Sequence, residues 1–229
     1  MGDVRDNWRR IQQQIEEACR RSGRDPEEVT VVAVTKYVDT ERTREALDTG
    51  LEHIAESRVQ EALPKWNALG DRGTWHFIGH LQRNKVKPVV ERFTYLHSLD
   101  RLSLAKEVSR RCEQQDRIMR CFLQVNVSGE DSKFGVEPDK LVEFAEEAAQ
   151  FPYLQIEGLM TMAPYTDDPE ETRPVFRRLK ELQQELQRLE HPRLQVPHLS
   201  MGMSRDFVVA VEEGATFLRL GSILVGGKK

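Results

Sequence analysis

Three short stretches of this 229-residue chain put reactive or anion-seeking groups directly after apolar runs. The first is Val31-Val32-Ala33-Val34-Thr35-Lys36, in which a lysine closes a β-branched run. Desolvation penalises an ammonium in apolar surroundings, so its pKa falls, and the neutral amine can attack an aldehyde to form a Schiff base. Taken alone, Lys36 also reads as a lysine that snorkels to solvent from a strand end. The second stretch is Ser200-Met201-Gly202-Met203-Ser204, ahead of an apolar helix from Phe207. Ser204 is placed to cap that helix, and the turn before it can offer backbone N–H groups and a hydroxyl to an anion. The third is Leu218-Arg219-Leu220-Gly221-Ser222, where Gly221 allows a close backbone approach to a ligand and Ser222 adds a second hydroxyl. Either turn by itself also reads as a plain strand-to-helix connection. By alternation Arg219 points to the same side as Phe217 and Gly221. Once buried it needs an acceptor, because a guanidinium keeps its proton. A pyridine nitrogen is one such acceptor, and the carboxylate of Glu56 is the structural alternative.

The elements that must position these groups alternate along the whole chain. Val4, Trp8, Ile11, Ile15 and Ala18 form one stripe on an N-terminal helix that ends near Ser22-Gly23. Val31–Lys36 then reads as a strand buried on both faces. Asp39 and Thr40 can cap the next helix, and Gly50 ends it. Further strands are expected at His53–Glu56, Trp75–Ile78, Tyr95–Leu99, Arg120–Val127, Ile156–Met162, His198–Met201 and Phe217–Leu220. Helices are expected at Arg58–Leu69, Gln82–Phe93, Arg101–Gln115, Pro138–Gln150, Pro169–Leu189 and Ser204–Glu213. In the fifth of these, Phe176, Leu179, Leu182, Leu186 and Leu189 form the apolar stripe, while Arg177, Arg178, Glu181 and Glu185 face water. Parallel strands need such crossovers, so the pattern predicts an α/β protein, a single (β/α)8 TIM-like barrel over residues 1–229 with an extra N-terminal helix. An open, doubly wound sheet is the other arrangement that fits. A barrel of this kind carries its site at the carboxyl ends of its strands and commonly binds phosphate after strands seven and eight. The second and third stretches fall there.

Bulk composition narrows the class. With 34 basic and 38 acidic residues the net charge is −4, which favours neither nucleic acid nor an anionic membrane as a partner. Cys19, Cys112 and Cys121 lack paired spacing, so neither a disulfide framework nor a structural zinc site is expected, and a reducing cytoplasm fits. Residues 1–10 lack the apolar run of a secretory signal. The expected location is therefore cytoplasmic.

Six blocks then carry a family resemblance. They are Val32-Ala33-Val34-Thr35-Lys36, Trp75-His76-Phe77-Ile78-Gly79-His80-Leu81-Gln82, and Gln124-Val125-Asn126 with Lys133-Phe134-Gly135. Gly158-Leu159-Met160-Thr161-Met162, Ser200-Met201-Gly202-Met203-Ser204-x-Asp206 and Arg219-Leu220-Gly221 complete the set, in order along nearly the whole chain. Together they resemble the pyridoxal phosphate homeostasis proteins. The resemblance implies a fold type III barrel like the N-terminal domain of alanine racemase. It implies pyridoxal 5'-phosphate (PLP) as cofactor, carried on Lys36 as an internal aldimine. It also places the phosphate near Ser200, Gly221 and Ser222, with Met201 and Ser204 close by, and Arg219 at the pyridine nitrogen. One block departs from the family pattern: Ala55-Glu56-Ser57 stands where Gly-Glu-Asn is usual, so any amide contact at Ser57 is lost.

Family membership further implies a carrier that buffers or delivers PLP, with apo forms of PLP-dependent enzymes as partners and no established reaction. An arginine at the ring nitrogen can only donate, which leaves the ring unprotonated and a poorer electron sink. A racemase of this design needs a second base from another domain; the chain ends at Lys229, so none is expected, and a monomer is. The alternatives are a PLP-dependent amino-acid racemase or lyase with Tyr37, His76 or His80 as second base, and a barrel enzyme for a phosphorylated sugar or aldehyde with Lys36 as an aldolase-type base. His76 and His80 also have metal-ligand spacing, although here they straddle a strand end and a turn.

Overall fold

A computed structural model of the chain describes residues 2–130 and 134–227. The N-terminal stripe forms helix α1 (Val4–Ser22), capped by the Asp3 carboxylate accepting from the Arg5 amide at 2.8 Å and closed by Gly23 at φ 68°. Val4, Ile11, Ile15 and Ala18 are buried, but Trp8 is only half-buried. The buried position in that turn is taken by Asn7, whose Nδ2 donates to the Leu224 carbonyl at 2.9 Å. Arg24 similarly donates to the Val211 carbonyl at 2.6 Å, so α1 is tied to the last βα unit.

Eight strands follow: β1 (Thr30–Val34), β2 (His53–Glu56), β3 (Thr74–Phe77), β4 (Tyr95–Leu99), β5 (Met119–Gln124), β6 (Leu154–Met160), β7 (His198–Ser200) and β8 (Phe217–Leu220). Helices α2 (Thr40–Asp48), α3 (Val59–Leu69), α4 (Val86–Val90), α5 (Leu102–Glu113), α6 (Leu141–Ala149), α7 (Arg173–Gln187) and α8 (Phe207–Glu212) link them. The strands pair in parallel in sequence order and β8 closes on β1, with Val32 opposite Arg219. Closure rules out the open sheet. As expected, Asp39 caps α2, its carboxylate accepting from the Arg42 amide at 2.8 Å. Helix α7 stops at Gln187, so Leu189 falls outside it and is exposed rather than part of the stripe.

Strand alternation divides the apolar residues into two cores. Val31, Ala33, Leu199, Met201, Leu218 and Leu220 face outward and pack under the helices. Val32, Val34, Ala55, Tyr95, Phe122, Met160 and Phe217 fill the barrel. The Phe217 ring is its hub, with the rings of His53, His76, Tyr95, His97, Phe122 and His198 at centroid distances of 5.2–6.2 Å. All three cysteines are free and buried. No helix among the described residues is long and apolar enough to cross a membrane.

Candidate functional site

The carboxyl end of β1 is braced from behind. Strand pairing stops at Val34, the Thr35 amide donates to the Ala55 carbonyl at 3.0 Å, and the chain turns. The Thr35 side chain faces away from the barrel and donates to Glu56 Oε1 at 2.5 Å. Lys65, on α3, donates to the same oxygen at 2.6 Å and to the Thr35 carbonyl at 2.5 Å. Burial pushes the Glu56 carboxyl up, with the Lys65 charge the main opposing influence. Lys36 leaves this braced corner half-buried at the barrel mouth, its Nζ 4.9 Å from the centre of the exposed Tyr37 ring.

The turns after β7 and β8 are built together. Gly202 has φ 92°, and a Cβ there would lie 2.6 Å from that of Ala210, so both conformation and packing demand glycine. Asp206, not Ser204, is the residue before α8, and its carboxylate reaches back to accept the Met203 amide at 2.6 Å. Burial raises the Asp206 pKa, against the Met203 bond and the Arg219 charge. Ser204, released from the expected capping role, accepts from the amides of Gly221 at 3.3 Å and Ile223 at 3.4 Å. Its hydroxyl thus draws the β8 turn against the β7 turn. Ser222 is exposed, with no protein partner for its hydroxyl among the described residues. Gly221 faces Val34 across the mouth, where a Cβ would meet nothing closer than the Val34 carbonyl at 3.5 Å.

Arg219 lies one step below Gly221 on the inner face, 5% exposed. It donates to Ser200 Oγ at 2.7 Å and to the Thr161 carbonyl at 2.9 Å, which leaves three of its five N–H bonds without a protein partner among the described residues. Burial lowers its pKa to about 10, and the Asp206 charge acts in the other direction. It remains a cation at neutral pH. Ser200 is fully buried and also contacts His97 Nδ1 at 2.8 Å. His97 Nε2 meets His76 Nδ1 at 2.8 Å, and His76 Nε2 meets His53 Nδ1 at 2.9 Å. Burial drives His76 and His97 well below the ordinary histidine value, and lowers His53 against the opposing Glu52 charge.

A family model described as alanine racemase, N-terminal domain, matches residues 2–229. A pyridoxal phosphate homeostasis protein of Aquifex aeolicus (strain VF5) is 45% identical over 221 residues, covering 96% of this chain and 96% of that one. The chain belongs to the pyridoxal phosphate homeostasis protein family. Among solved structures, PipY of Synechococcus elongatus PCC7942 with PLP bound is 36% identical, with a TM-score of 0.82, covering 93% of this chain and 100% of that one. Alanine racemase from Clostridium difficile 630 shares the fold alone: 14% identity and a TM-score of 0.74, with 97% of this chain and 56% of that chain covered.

Within this homeostasis-family barrel, Lys36, Arg219, Gly221, Ser222 and Ser204 gather at one mouth. Two expected neighbours do not present side chains there. Met201 is fully buried in the outer core, because alternation after β7 turns it outward. Ser200 points inward but one layer down, with its hydroxyl engaged by Arg219 and His97. Glu56 is not the acceptor of Arg219; it faces the other side of the sheet and holds Lys65. His76 and His80 also separate. His76 is sealed in the barrel, whereas His80 stacks on Phe134 at 3.9 Å and lies 3.5 Å from Asp100, so they form no metal pair. No group of three or more metal-binding side chains occurs among the described residues. Ser57 lines a cleft of about 460 Å³ beside the mouth with Arg58, His80 and Lys85. Lys133 of the Lys-Phe-Gly block lies outside the described residues.

The histidine chain is not legible in any one strand. The available signal was a histidine at an inward position on each of three consecutive strands, β2, β3 and β4.

Proposed function

We propose that this chain binds pyridoxal 5'-phosphate in the barrel mouth, anchors it covalently through Lys36, and serves its homeostasis by buffering and delivering it. The observation that carries this reading is Arg219: a buried guanidinium with N–H bonds unspent among the described residues, on the strand paired with the one that leads to Lys36. Bound there, the cofactor supplies an electrophilic aldehyde and a ring that can take up electron density. The residues present fit it. Lys36 is the amine for the aldehyde, Arg219 the donor for the ring nitrogen, and Ser204, Gly221 and Ser222 form the end that receives the phosphate. Ser200 serves from below through Arg219, and Met201 supports the turn from the outer core. Glycine at 221 also fits: the protein alone leaves room for a Cβ, so the missing side chain keeps space for something else.

Holding is favoured over chemistry. Arg219 stays charged and donates only, so the ring nitrogen it meets stays unprotonated and draws electrons weakly. His76, one candidate second base, has no access to the mouth. On this reading the chain is a cytoplasmic monomer, residues 1–229 are one cofactor-holding domain, and apo forms of PLP-dependent enzymes receive the cofactor. Neither nucleic acid nor membrane is a partner. Borohydride reduction and peptide mapping of the cofactor-loaded protein test the anchor, with label expected on Lys36. Colour retained and fixed through another lysine in Lys36→Ala would overturn it. Deuterium incorporation at the α-carbon of added amino acids, at ordinary enzymic rates, would replace the carrier with a racemase or lyase.

A further inference from the structure

The hydrogen bonds inside the barrel have only one self-consistent direction. Arg219 is a donor without an acceptor, so Ser200 Oγ accepts at their 2.7 Å contact. Ser200 is itself fully buried and must place its own hydroxyl proton. The acceptor in reach is His97 Nδ1 at 2.8 Å, which must then be unprotonated. A neutral imidazole carries one proton, so that of His97 sits on Nε2 and points at His76 Nδ1, 2.8 Å away. The same logic puts the His76 proton on Nε2, facing His53 Nδ1 at 2.9 Å. His53 keeps its proton on Nε2, at the half-buried end of the chain.

The opposite set of tautomers fails at one atom. His97 and Arg219 would both donate to Ser200 Oγ, and the serine proton would find no acceptor among the described residues. The five side chains therefore form a line of single polarity, with every acceptor turned toward the cation. The line climbs neighbouring strands β2, β3 and β4 and then crosses the barrel from β4 to β7 and on to β8. Ring packing fixes its members in place: His76 stacks on Tyr95 at 4.4 Å and His97 on Phe122 at 4.4 Å. Arg219 makes no salt bridge among the described residues; a serine oxygen and a carbonyl are its hydrogen-bonding partners. Aligned hydrogen bonds polarise one another, which strengthens the acceptor at the end nearest the charge.

We propose that His97, His76 and His53 are positioning residues for Arg219, acting through Ser200 as a hydrogen-bond chain that fixes the guanidinium against the ring nitrogen of the bound cofactor. The proposal rests on the reading of the mouth as a PLP site. Ser200 is then the last link of an internal relay and not a phosphate ligand.

Two measurements test it. In cofactor-free protein, 15N spectra of labelled imidazoles should show His53, His76 and His97 all neutral with the proton on Nε2. A proton on Nδ1 of any one of them would overturn the chain, whatever the cofactor does. In protein loaded with pyridoxal 5'-phosphate, His76→Leu cuts the chain two links from Arg219 without touching the mouth. Cofactor retention should fall about tenfold and the absorption and emission maxima should shift. His76→Gln, whose amide can accept from His97 and donate to His53, should restore both. A His76→Leu protein with wild-type spectrum and retention would reduce the histidines to packing. Should His76→Leu not fold, Ser200→Ala gives the same spectral comparison. Loss of colour in Lys36→Ala belongs to the anchor and leaves the tautomer result standing, so the two readings fail separately.

Discussion

Lys65 reaches from α3 to the carbonyl oxygen of Thr35, 2.5 Å away, and so grips the chain one residue before Lys36. The same ammonium holds Glu56 Oε1 at 2.6 Å, in a setting where the lysine is 5% exposed and the glutamate wholly enclosed. The second glutamate oxygen has no hydrogen-bond partner among the described residues. Removing the lysine alone would strand a buried carboxylate, the situation in which breaking an ion pair is most costly. Lys65→Met should therefore cost about 3–5 kcal/mol in urea unfolding. Adding Glu56→Gln should recover most of that loss, because the stranded charge disappears. Equal stability of Lys65→Met and wild type would show that the pair does not brace the corner.

How far the sequence exposes this arrangement depends on how local each signal is. The run Val31 to Val34 marks a strand buried on both sides whatever surrounds it, and His53–Glu56, Tyr95–Leu99 and Phe217–Leu220 keep their expected bounds. Helix starts were less legible. The stretch from Gln82 becomes a 3-10 turn over Arg83–Lys85 and a short α4, since Pro88 is tolerated only near a helix start. Lys36, Gly221 and Ser222 stand out as candidates in the sequence because turn chemistry is written in adjacent residues. Ser204 reads as a helix cap in its own segment because its actual partners, the amides of Gly221 and Ile223, come from the neighbouring turn. The histidine chain depends on three strands being neighbours and on one bond across the barrel, which no single segment records.

Two glycines should respond in opposite ways to the same substitution. A Cβ at Gly202 meets Ala210 at 2.6 Å and sits on a backbone with φ 92°, so Gly202→Ala should lose about 1–3 kcal/mol of stability. A Cβ at Gly221 finds only ordinary contacts, the nearest at 3.5 Å. Gly221→Ala should thus unfold within about 0.5 kcal/mol of wild type, while PLP retention drops about tenfold. Titration of the apo protein with the cofactor, beside urea unfolding, checks both. Unchanged retention in Gly221→Ala would mean that the empty space at 221 is not the cradle.

Asp206 offers a separate handle on the turn after β7. Its carboxylate accepts the Met203 amide at 2.6 Å and is buried, so Asp206→Ala leaves that amide without its charged acceptor. A loss of about 2 kcal/mol is expected, with faster hydrogen exchange at the Met203 amide. Wild-type exchange there would show that the turn holds its shape without Asp206.

Acid should destabilise the fold through the barrel interior. Burial keeps His76 and His97 neutral well below the ordinary histidine value, whereas in the unfolded chain they protonate near pH 6.5. Below that pH the unfolded state takes up protons that the native state refuses, so stability rises with pH and is lost as pH falls. Each histidine contributes a slope of about 1.4 kcal/mol per pH unit once the unfolded form is fully protonated. Glu56 and Asp206 act with the opposite sign, because their folded pKa values lie above the unfolded ones. Their share is fully present below the unfolded carboxylate range and is lost as pH rises through the raised folded values, so they soften the acid loss without causing it. Urea midpoints between pH 8 and pH 5 should fall steadily in wild type. His97→Gln, which cannot protonate, should start less stable yet lose stability more slowly, by one proton's worth of slope. Parallel pH profiles for the two proteins would mean that His97 titrates alike folded and unfolded, and would contradict its place in the sealed interior.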